Sequence, residues 1–276
     1  MKKLLSVLLC AAMLLCLLPL EARAAAAAWD GTVDISWYDP AQTEYTIDTP
    51  AKLAGLAALV NGMADPAAKA IVGDRSYLVS KKVDNVMLVG AGGGNVFDTV
   101  YTGGVDFAYK TIYLTADLDM GGRKAADGSW TGPNWTPIGG KFPMKPQEAS
   151  GDCLTLDTRF NGVLDGQGHT IYNLYCDRCA AKGFPYSMAV GVVGFLGGNA
   201  DYANGGNGEK TEAEFKNGWQ PAVRNLVLGS GSIYGRRMVG GIVGRVGETS
   251  NGVIIENCGN RADVRNTDSK GVGGIV

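Results

Sequence analysis

The chain has 276 residues, of which 41 are glycine, and a formal net charge of −2. A glycine share about twice the usual one is typical of a turn-rich β protein and excludes a helical bundle. The slightly acidic balance excludes electrostatic attraction to nucleic acid or to an anionic membrane surface.

The N-terminal segment has the pattern of a secretory signal peptide. Lys2 and Lys3 precede an apolar run from Leu4 to Leu20, and Ala22-Arg23-Ala24 follows it. A charged start, a short apolar stretch and an A-x-A site are the three parts of such a signal. We therefore predict that residues 1–24 are removed, that the protein is secreted or associated with the cell wall, and that no membrane span remains.

A helix is predicted shortly after this segment. Thr49 is a suitable N-cap, Pro50 suits the first turn, and Asn61-Gly62 is a typical helix end. Apolar residues recur between them at helical spacing. We predict a helix at residues 50–61 within a capping region over residues 25–110, which also contains an irregular insertion at 63–106.

The C-terminal half contains a repeat. Asn173, Asn225 and Asn257 lie in similar short apolar segments at spacings of 52 and 32 residues, and glycine-rich segments such as 239–244 alternate with them. Such periodicity indicates a solenoid of short parallel strands. We expect the three asparagines to form a ladder at a bend, amide to amide, because a buried amide without a partner costs about 1–3 kcal/mol. The expected inward rows are Leu174, Leu226, Cys258 and Ile171, Val223, Ile255.

Part of this pattern resembles a known family. The Val-Gly-Gly-Ile-Val-Gly unit at 239–244 resembles the GLUG motif of bacterial surface proteins. The string Phe160-Asn-Gly-Val-Leu-Asp-Gly-Gln-Gly-His-Thr-Ile-Tyr-Asn-Leu174 is similar to the region that precedes such repeats, as are residues 51–61, 111–119 and 135–139. The resemblance implies a right-handed parallel β-helix in secreted or wall-associated proteins, and it implies no fixed activity.

The predicted fold class is therefore all-β, with a right-handed parallel β-helix over residues 111–276 and an N-terminal α-helical cap. The repeat reaches Val276 inside a motif that elsewhere continues with glycine. Because a solenoid needs a cap at each end, we expect the sequence to be a truncated part of a longer protein.

Few residues indicate catalysis. His169 is the single histidine and follows Asp165-Gly-Gln-Gly, which indicates a structural turn residue. Asp117 and Asp119 are two residues apart and share a face if they lie on a strand, and with Trp135 they are the candidate ligand-binding residues. The sequence has neither the Asp-Asp pair nor the Gly-His-Gly of β-helical pectinase-type hydrolases. Catalysis is therefore not expected.

No cofactor is predicted apart from a weak calcium candidate. A glycine-rich loop supplies oxygen ligands, namely Asp201, Asn204, Asn207 and Glu209. Their spacing fits neither an EF-hand nor a nonapeptide calcium repeat, and a flexible loop is the favoured interpretation.

Four cysteines remain after the signal segment, namely Cys153, Cys176, Cys179 and Cys258. In an exported protein they permit a disulfide, either 153–176 or 176–179. Cys258 aligns with the inward Leu226 and is expected to be a small buried side chain.

The aromatic residues allow two interpretations. Trp29, Trp37, Trp130, Trp135 and Trp219 could stack on sugars or pack inside the capping region.

Three functions remain open. The leading one is a non-catalytic surface module, adhesin-like or a structural stalk, that presents loops to an extracellular glycan or a cell-surface protein. The second is a carbohydrate-binding or polysaccharide-degrading protein. The third is the repeat region of a larger surface enzyme, such as a peptidase.

Overall fold

The computed structural model describes residues 27–65, 70–71, 82–89, 95–101, 104–143, 154–178, 188–198, 202–204, 214–267 and 271–276. The predicted signal peptide lies outside these ranges. Within them, no helix has the length and apolar character needed to cross a membrane.

The described chain is mostly β-strand with one α-helix, α1 (Pro50–Val60). The first strands are β1 (Glu44–Ile47), β2 (Ala64–Asp65), β3 (Ala70–Ile71), β4 (Lys82–Val89) and β5 (Asn95–Tyr101). The middle part contains β6 (Thr111–Leu114), β7 (Leu118–Asp119), β8 (Arg123–Lys124), β9 (Trp130–Thr131), β10 (Gly140–Pro143), β11 (Leu154–Thr158), β12 (Val163–Asp165), β13 (Thr170–Tyr172), β14 (Leu174–Asp177), β15 (Met188–Val190), β16 (Val193–Leu196) and β17 (Tyr202–Asn204). The last part contains β18 (Ala222–Arg224), β19 (Val227–Leu228), β20 (Gly231–Gly235), β21 (Arg237–Gly240), β22 (Val243–Val246), β23 (Ile254–Glu256), β24 (Gly259–Asn260), β25 (Asp263–Asn266) and β26 (Val272–Gly273).

Helix α1 forms where the sequence predicts it. The Thr49 side chain accepts a hydrogen bond from the backbone N–H of Lys52 at 3.3 Å, which satisfies one free donor of the first turn. Pro50 occupies the first turn, and Asn61 with the left-handed Gly62 ends the helix. The predicted helix is confirmed, with Val60 as its last residue.

The described parallel strands form five sheets. Their strand orders are β1-β6-β12-β18-β23, β24-β19-β13-β7, β14-β20-β25, β15-β21-β26 and β16-β22. In the largest sheet Ile112, Leu164, Val223 and Ile255 are aligned with one another, and the first three are fully buried. Strand β1 belongs to the same sheet because it pairs with β6. The predicted domain boundary near residue 110 therefore runs through one sheet.

The predicted fold class, one right-handed parallel β-helix with an α-helical cap, is wrong. The described strands form separate parallel sheets of five, four, three, three and two strands, they do not close into a single solenoid, and the predicted cap is one helix. Left-handed residues end the short strands; Asn173, Asn225 and Asn257 have φ angles of 56°, 53° and 49°. An antiparallel sheet, β10-β11-β17, also interrupts the repeat.

An aromatic cluster joins the N-terminal segment to the largest sheet. Tyr38 stacks on Tyr45 at 5.7 Å between ring centroids, and Phe107 lies 5.5 Å from Tyr38 and 6.1 Å from Phe160. Burial raises the pKa of Tyr45 to about 12. Phe107 is fully buried, and this anchors the loop that precedes β6.

Candidate functional site

One column of hydrogen-bonded side chains crosses the largest sheet. Asn257 Nδ2 donates to Asn225 Oδ1 at 3.1 Å, and Asn225 Nδ2 donates to Asp165 Oδ1 at 3.0 Å. We call Asp165, Asn225 and Asn257 the Asp165 column. The structure thus brings two of the predicted ladder asparagines together, and an aspartate continues the ladder.

The third predicted ladder residue lies in a second column. Asn173 Nδ2 donates to Asp119 Oδ1 at 3.0 Å, and Asn173 Oδ1 accepts from Ser230 Oγ at 3.1 Å. We call Asp119, Asn173 and Ser230 the Asp119 column. The single predicted ladder of Asn173, Asn225 and Asn257 is therefore corrected to two columns.

The strand register explains this separation. Ile171 pairs with Leu228 and Leu118, and Leu174 lies opposite Gly231. The predicted inward rows are corrected accordingly, since neither Ile171 nor Leu174 shares a row with residues 223 or 226. Alignment of residues 223 and 255 is confirmed.

Asp165 is the buried charge of its column. The residue is only 3% exposed. Besides Asn225, Arg224 Nε donates to Asp165 Oδ2 at 2.8 Å, and the Gln167 backbone N–H donates to Oδ1 at 2.9 Å. Burial by itself raises the pKa of this carboxyl group, but the hydrogen bonds from Asn225, Gln167 and Arg224 outweigh burial and hold the pKa below its ordinary value of 3.8.

This depressed pKa predicts a pH dependence of stability. A carboxylate whose pKa is lower in the folded state stabilises the protein fully above 3.8, and this contribution is lost as pH falls through the folded pKa. In the variant Asn225→Ala the pKa of Asp165 is expected to rise, because one donor is gone. Urea unfolding between pH 2 and pH 7 should therefore show the variant on the order of 1–3 kcal/mol below the parent protein at neutral pH, and the two stability profiles should converge as the pH falls below 3.8, because the variant has less of this contribution to lose. Parallel pH profiles would contradict the prediction.

The single histidine contacts one of the predicted ligand-binding acids. His169 Nδ1 lies 3.0 Å from Asp117 Oδ1, which also accepts the backbone N–H of Thr170 at 3.1 Å. His169 N donates to Gly166 O at 2.7 Å, which closes a turn, as the sequence predicts. These contacts hold the start of β13 against the segment between β6 and β7.

Asp119 has a similar connecting role. Its Oδ1 accepts from the backbone N–H of Gly121 at 2.9 Å as well as from Asn173, and Arg123 lies 3.5 Å away. Leu118 between the two aspartates is fully buried, whereas Asp117, just before β7, and Asp119, within β7, are both half-buried. Both carboxylates bind neighbouring backbone and side chains, and this favours a structural role over ligand binding.

Trp135 belongs to the core. It is 1% exposed, its Nε1 lies 3.2 Å from Gly191 O and 3.3 Å from Val192 O, and its ring meets Trp29 edge-on at 6.0 Å. The ring packs in the core and also lines a small pocket together with Trp29 and Met63. The structure therefore shows core packing for Trp135, and its binding role stays a prediction.

The calcium and disulfide candidates fall mostly outside the described residues. Outside the described residues lie Asp201, Asn207, Glu209, Cys153 and Cys179. Asn204 is the last residue of β17. Both predicted disulfides include one of the undescribed cysteines. In the part of the chain that the structure covers, no His, Cys, Asp and Glu side chains are grouped to hold a metal ion.

The two described cysteines are packed against the strands. The Cys176 thiol is buried and donates to Trp135 O at 3.4 Å. Burial raises the pKa of the Cys258 thiol, which lowers its reactivity.

Three aromatic side chains from distant parts of the sequence meet at the surface. The ring centroids of Tyr109 and Trp219 are 5.5 Å apart with their planes inclined at 47°, and Phe215 meets Tyr109 edge-on at 6.2 Å. Tyr109 is 42% exposed, and the other two are half-buried. We call Tyr109, Phe215 and Trp219 the aromatic corner. Among the described residues, these three rings contact one another and are all at least partly open to solvent.

Hydrogen bonds hold the segment that carries Phe215 and Trp219. Trp219 Nε1 donates to Asn161 O at 2.8 Å, so the indole N–H points towards the protein. Asn251 Nδ2 donates to the carbonyl oxygens of Phe215 and Trp219 at 3.2 and 3.3 Å. The Phe215 backbone N–H donates to Ser250 Oγ at 3.1 Å. These bonds hold the backbone of the segment and the Trp219 ring in position.

Tyr109 stands on a strained loop. Its φ is 65° and that of Phe107 is 59°, a conformation that costs energy for bulky side chains. The buried Phe107 ring and a 2.6 Å hydrogen bond from Asn161 N to Asp106 O maintain it. The backbone N–H of Lys216 also donates to the Tyr109 hydroxyl group at 2.8 Å, which links the two loops. Sequence reasoning named Trp219 but missed Tyr109 and Phe215, since no periodic pattern marks either loop.

Comparison with known proteins gives one match. The chain is 33% identical to Halomucin of Haloquadratum walsbyi (strain DSM 16790 / HBSQ001) over 142 aligned residues. This alignment covers 48% of the chain. The chain spans about 1% of the length of that protein. No family model and no solved structure matches, so the resemblance to GLUG repeats stays a prediction.

Proposed function

We propose that this protein is a non-catalytic extracellular module, adhesin-like or a structural stalk, that presents loops on a rigid β scaffold to partners outside the cell. The observation that carries the proposal is the aromatic corner. Two loops, 104–110 and 214–220, expose aromatic surface and are fastened to the sheets by hydrogen bonds. Exposed aromatic surface on a rigid support is typical of binding sites.

Other features support the same role. The N-terminal sequence has the pattern of an export signal. Similarity to a segment of Halomucin supports a place at the cell surface. The two candidate ligand-binding acids, Asp117 and Asp119, connect neighbouring strands.

Cell fractionation tests this proposal. Intact cells that produce the protein are treated with protease, and the culture medium, wall and cytoplasmic fractions are probed with an antibody and by intact-mass measurement. We expect protease-sensitive protein in the wall or the medium, with an N-terminus near residue 25. Replacing Leu14 and Leu15 with arginine interrupts the apolar run and should retain the protein inside. Protease-protected parent protein in the cytoplasm would refute the proposal.

A further inference from the structure

We propose that the aromatic corner is a binding site for an uncharged polysaccharide, with one pyranose ring stacked on the solvent-exposed side of the Tyr109 and Trp219 pair. The inference rests on the proposed extracellular function and names the partner of that same surface. A sugar ring has C–H groups on its faces and hydroxyl groups at its edge. It therefore fits an aromatic surface that is surrounded by hydrogen-bonding groups.

The geometry of the rings suits such a ligand. The planes of Tyr109 and Trp219 are inclined at 47° with centroids 5.5 Å apart, so together they form a notch rather than a flat stack. Phe215 supports Tyr109 from the side at 86°. A proline-rich peptide binds along an extended groove lined by aromatic side chains. The inclined pair of Tyr109 and Trp219 offers a shorter contact surface than such a groove. A single sugar ring is the better match to this notch.

The surrounding polar groups favour a hydroxyl-rich, uncharged ligand. Lys216 and Glu214 are exposed on the same segment, so their charges balance. The exposed Asn217 amide provides both donors and an acceptor, whereas the Gln220 amide donates to Asn251 O. The Tyr109 hydroxyl group accepts from Lys216 N, and its own proton remains to be donated. Neither a strongly anionic nor a strongly cationic partner is favoured here.

The strained loop fits a binding role. Tyr109 has a φ of 65°, which a tyrosine side chain adopts at an energetic cost, and the loop holds its ring 42% exposed. Since the notch exists before a ligand arrives, binding requires little ordering of side chains.

The variant Tyr109→Asn tests the site. Asparagine tolerates left-handed backbone, so the change removes the ring without adding strain. The control is Tyr172→Ala, because Tyr172 is 41% exposed and lies on β13, outside the aromatic corner. Affinity electrophoresis of the full chain is run in gels that contain dextran, galactomannan, xylan or soluble β-glucan, with a proline-rich peptide as a separate probe in fluorescence titration.

We expect retardation by at least one of these polysaccharides in the parent protein and in Tyr172→Ala. Tyr109→Asn and Tyr109→Phe both lose the hydrogen bond from Lys216 N, so both should melt slightly below the parent protein, but only Tyr109→Asn should lose about tenfold or more in affinity. The inference would be overturned if none of the four polysaccharides retarded the parent protein. It would also be overturned if Tyr109→Asn and Tyr172→Ala lost affinity equally. Peptide binding that depends on Tyr109 would also overturn it, while leaving the proposed function intact. The fractionation result decides the proposed function separately.

Discussion

Replacing Gly55 with alanine is expected to destabilise the protein by about 2–4 kcal/mol, although alanine is the better helix former by about 1 kcal/mol. Gly55 lies in the middle of α1, where the segment before β1 crosses the helix. A Cβ atom at this position would lie 1.9 Å from Asp34 O and 3.1 Å from Trp37 Nε1. Asp34 has little room to move, because its N–H donates to Ala51 O and its carbonyl oxygen accepts from Trp37.

The measurement is urea unfolding followed by circular dichroism, with Gly274→Ala as the matched control. A Cβ atom at Gly274 would meet nothing within 4 Å. The control variant should therefore unfold within about 0.5 kcal/mol of the parent protein. If Gly55→Ala were equally harmless, the segment containing Asp34 would not pack against the helix as described.

Replacing Asn61 with alanine is expected to destabilise the protein by about 3–5 kcal/mol. Asn61 is fully buried at the end of α1. Its Nδ2 donates to Pro137 O at 2.8 Å, and its Oδ1 accepts from Gly139 N and from Thr158 Oγ1, both at 3.0 Å. Alanine would leave all three of these groups without a partner where water is excluded. The melting temperature should fall by roughly 10 °C.

Asn134→Ala provides the comparison. Asn134 also makes two side-chain hydrogen bonds, donating to Asp177 O at 2.8 Å and accepting from Asp177 N at 2.9 Å. Because Asn134 is exposed, water can replace both bonds, and the cost should stay below about 1 kcal/mol. Equal losses in the two variants would show that burial of Asn61 is not what makes its hydrogen bonds important.

Helix α1 could be predicted because its signals are local. The side chain of Thr49, the fixed φ of Pro50 and the left-handed Gly62 act within a few residues of the helix ends. Strand pairing has no such local signal. The Asn-Leu dipeptides at 173 and 225 look equivalent in the sequence, but the structure places residue 173 beside Ser230. Spatial neighbours set the register, and sequence similarity alone misaligned it.

The candidate site was predicted less well than the fold elements. Trp135 and Trp219 are chemically identical residues, and only packing shows that the first is buried while the second is half-buried beside an exposed tyrosine. Tyr109 is placed by the burial of Phe107 and by contacts with a segment more than a hundred residues later. No pattern of hydrophobicity records such a long-range contact.

Both side-chain columns have a direction, which limits how the layers can be assembled. In each column the donor belongs to the later strand and the acceptor to the earlier one. The first position is an aspartate, Asp165 or Asp119, and an ionised carboxylate accepts hydrogen bonds but donates none. If two segments that carry an aspartate became neighbours in one column, the two carboxylates would face each other with no donor between them. The fixed order of acceptor and donor side chains in each column therefore disfavours shuffled or domain-swapped arrangements of similar segments.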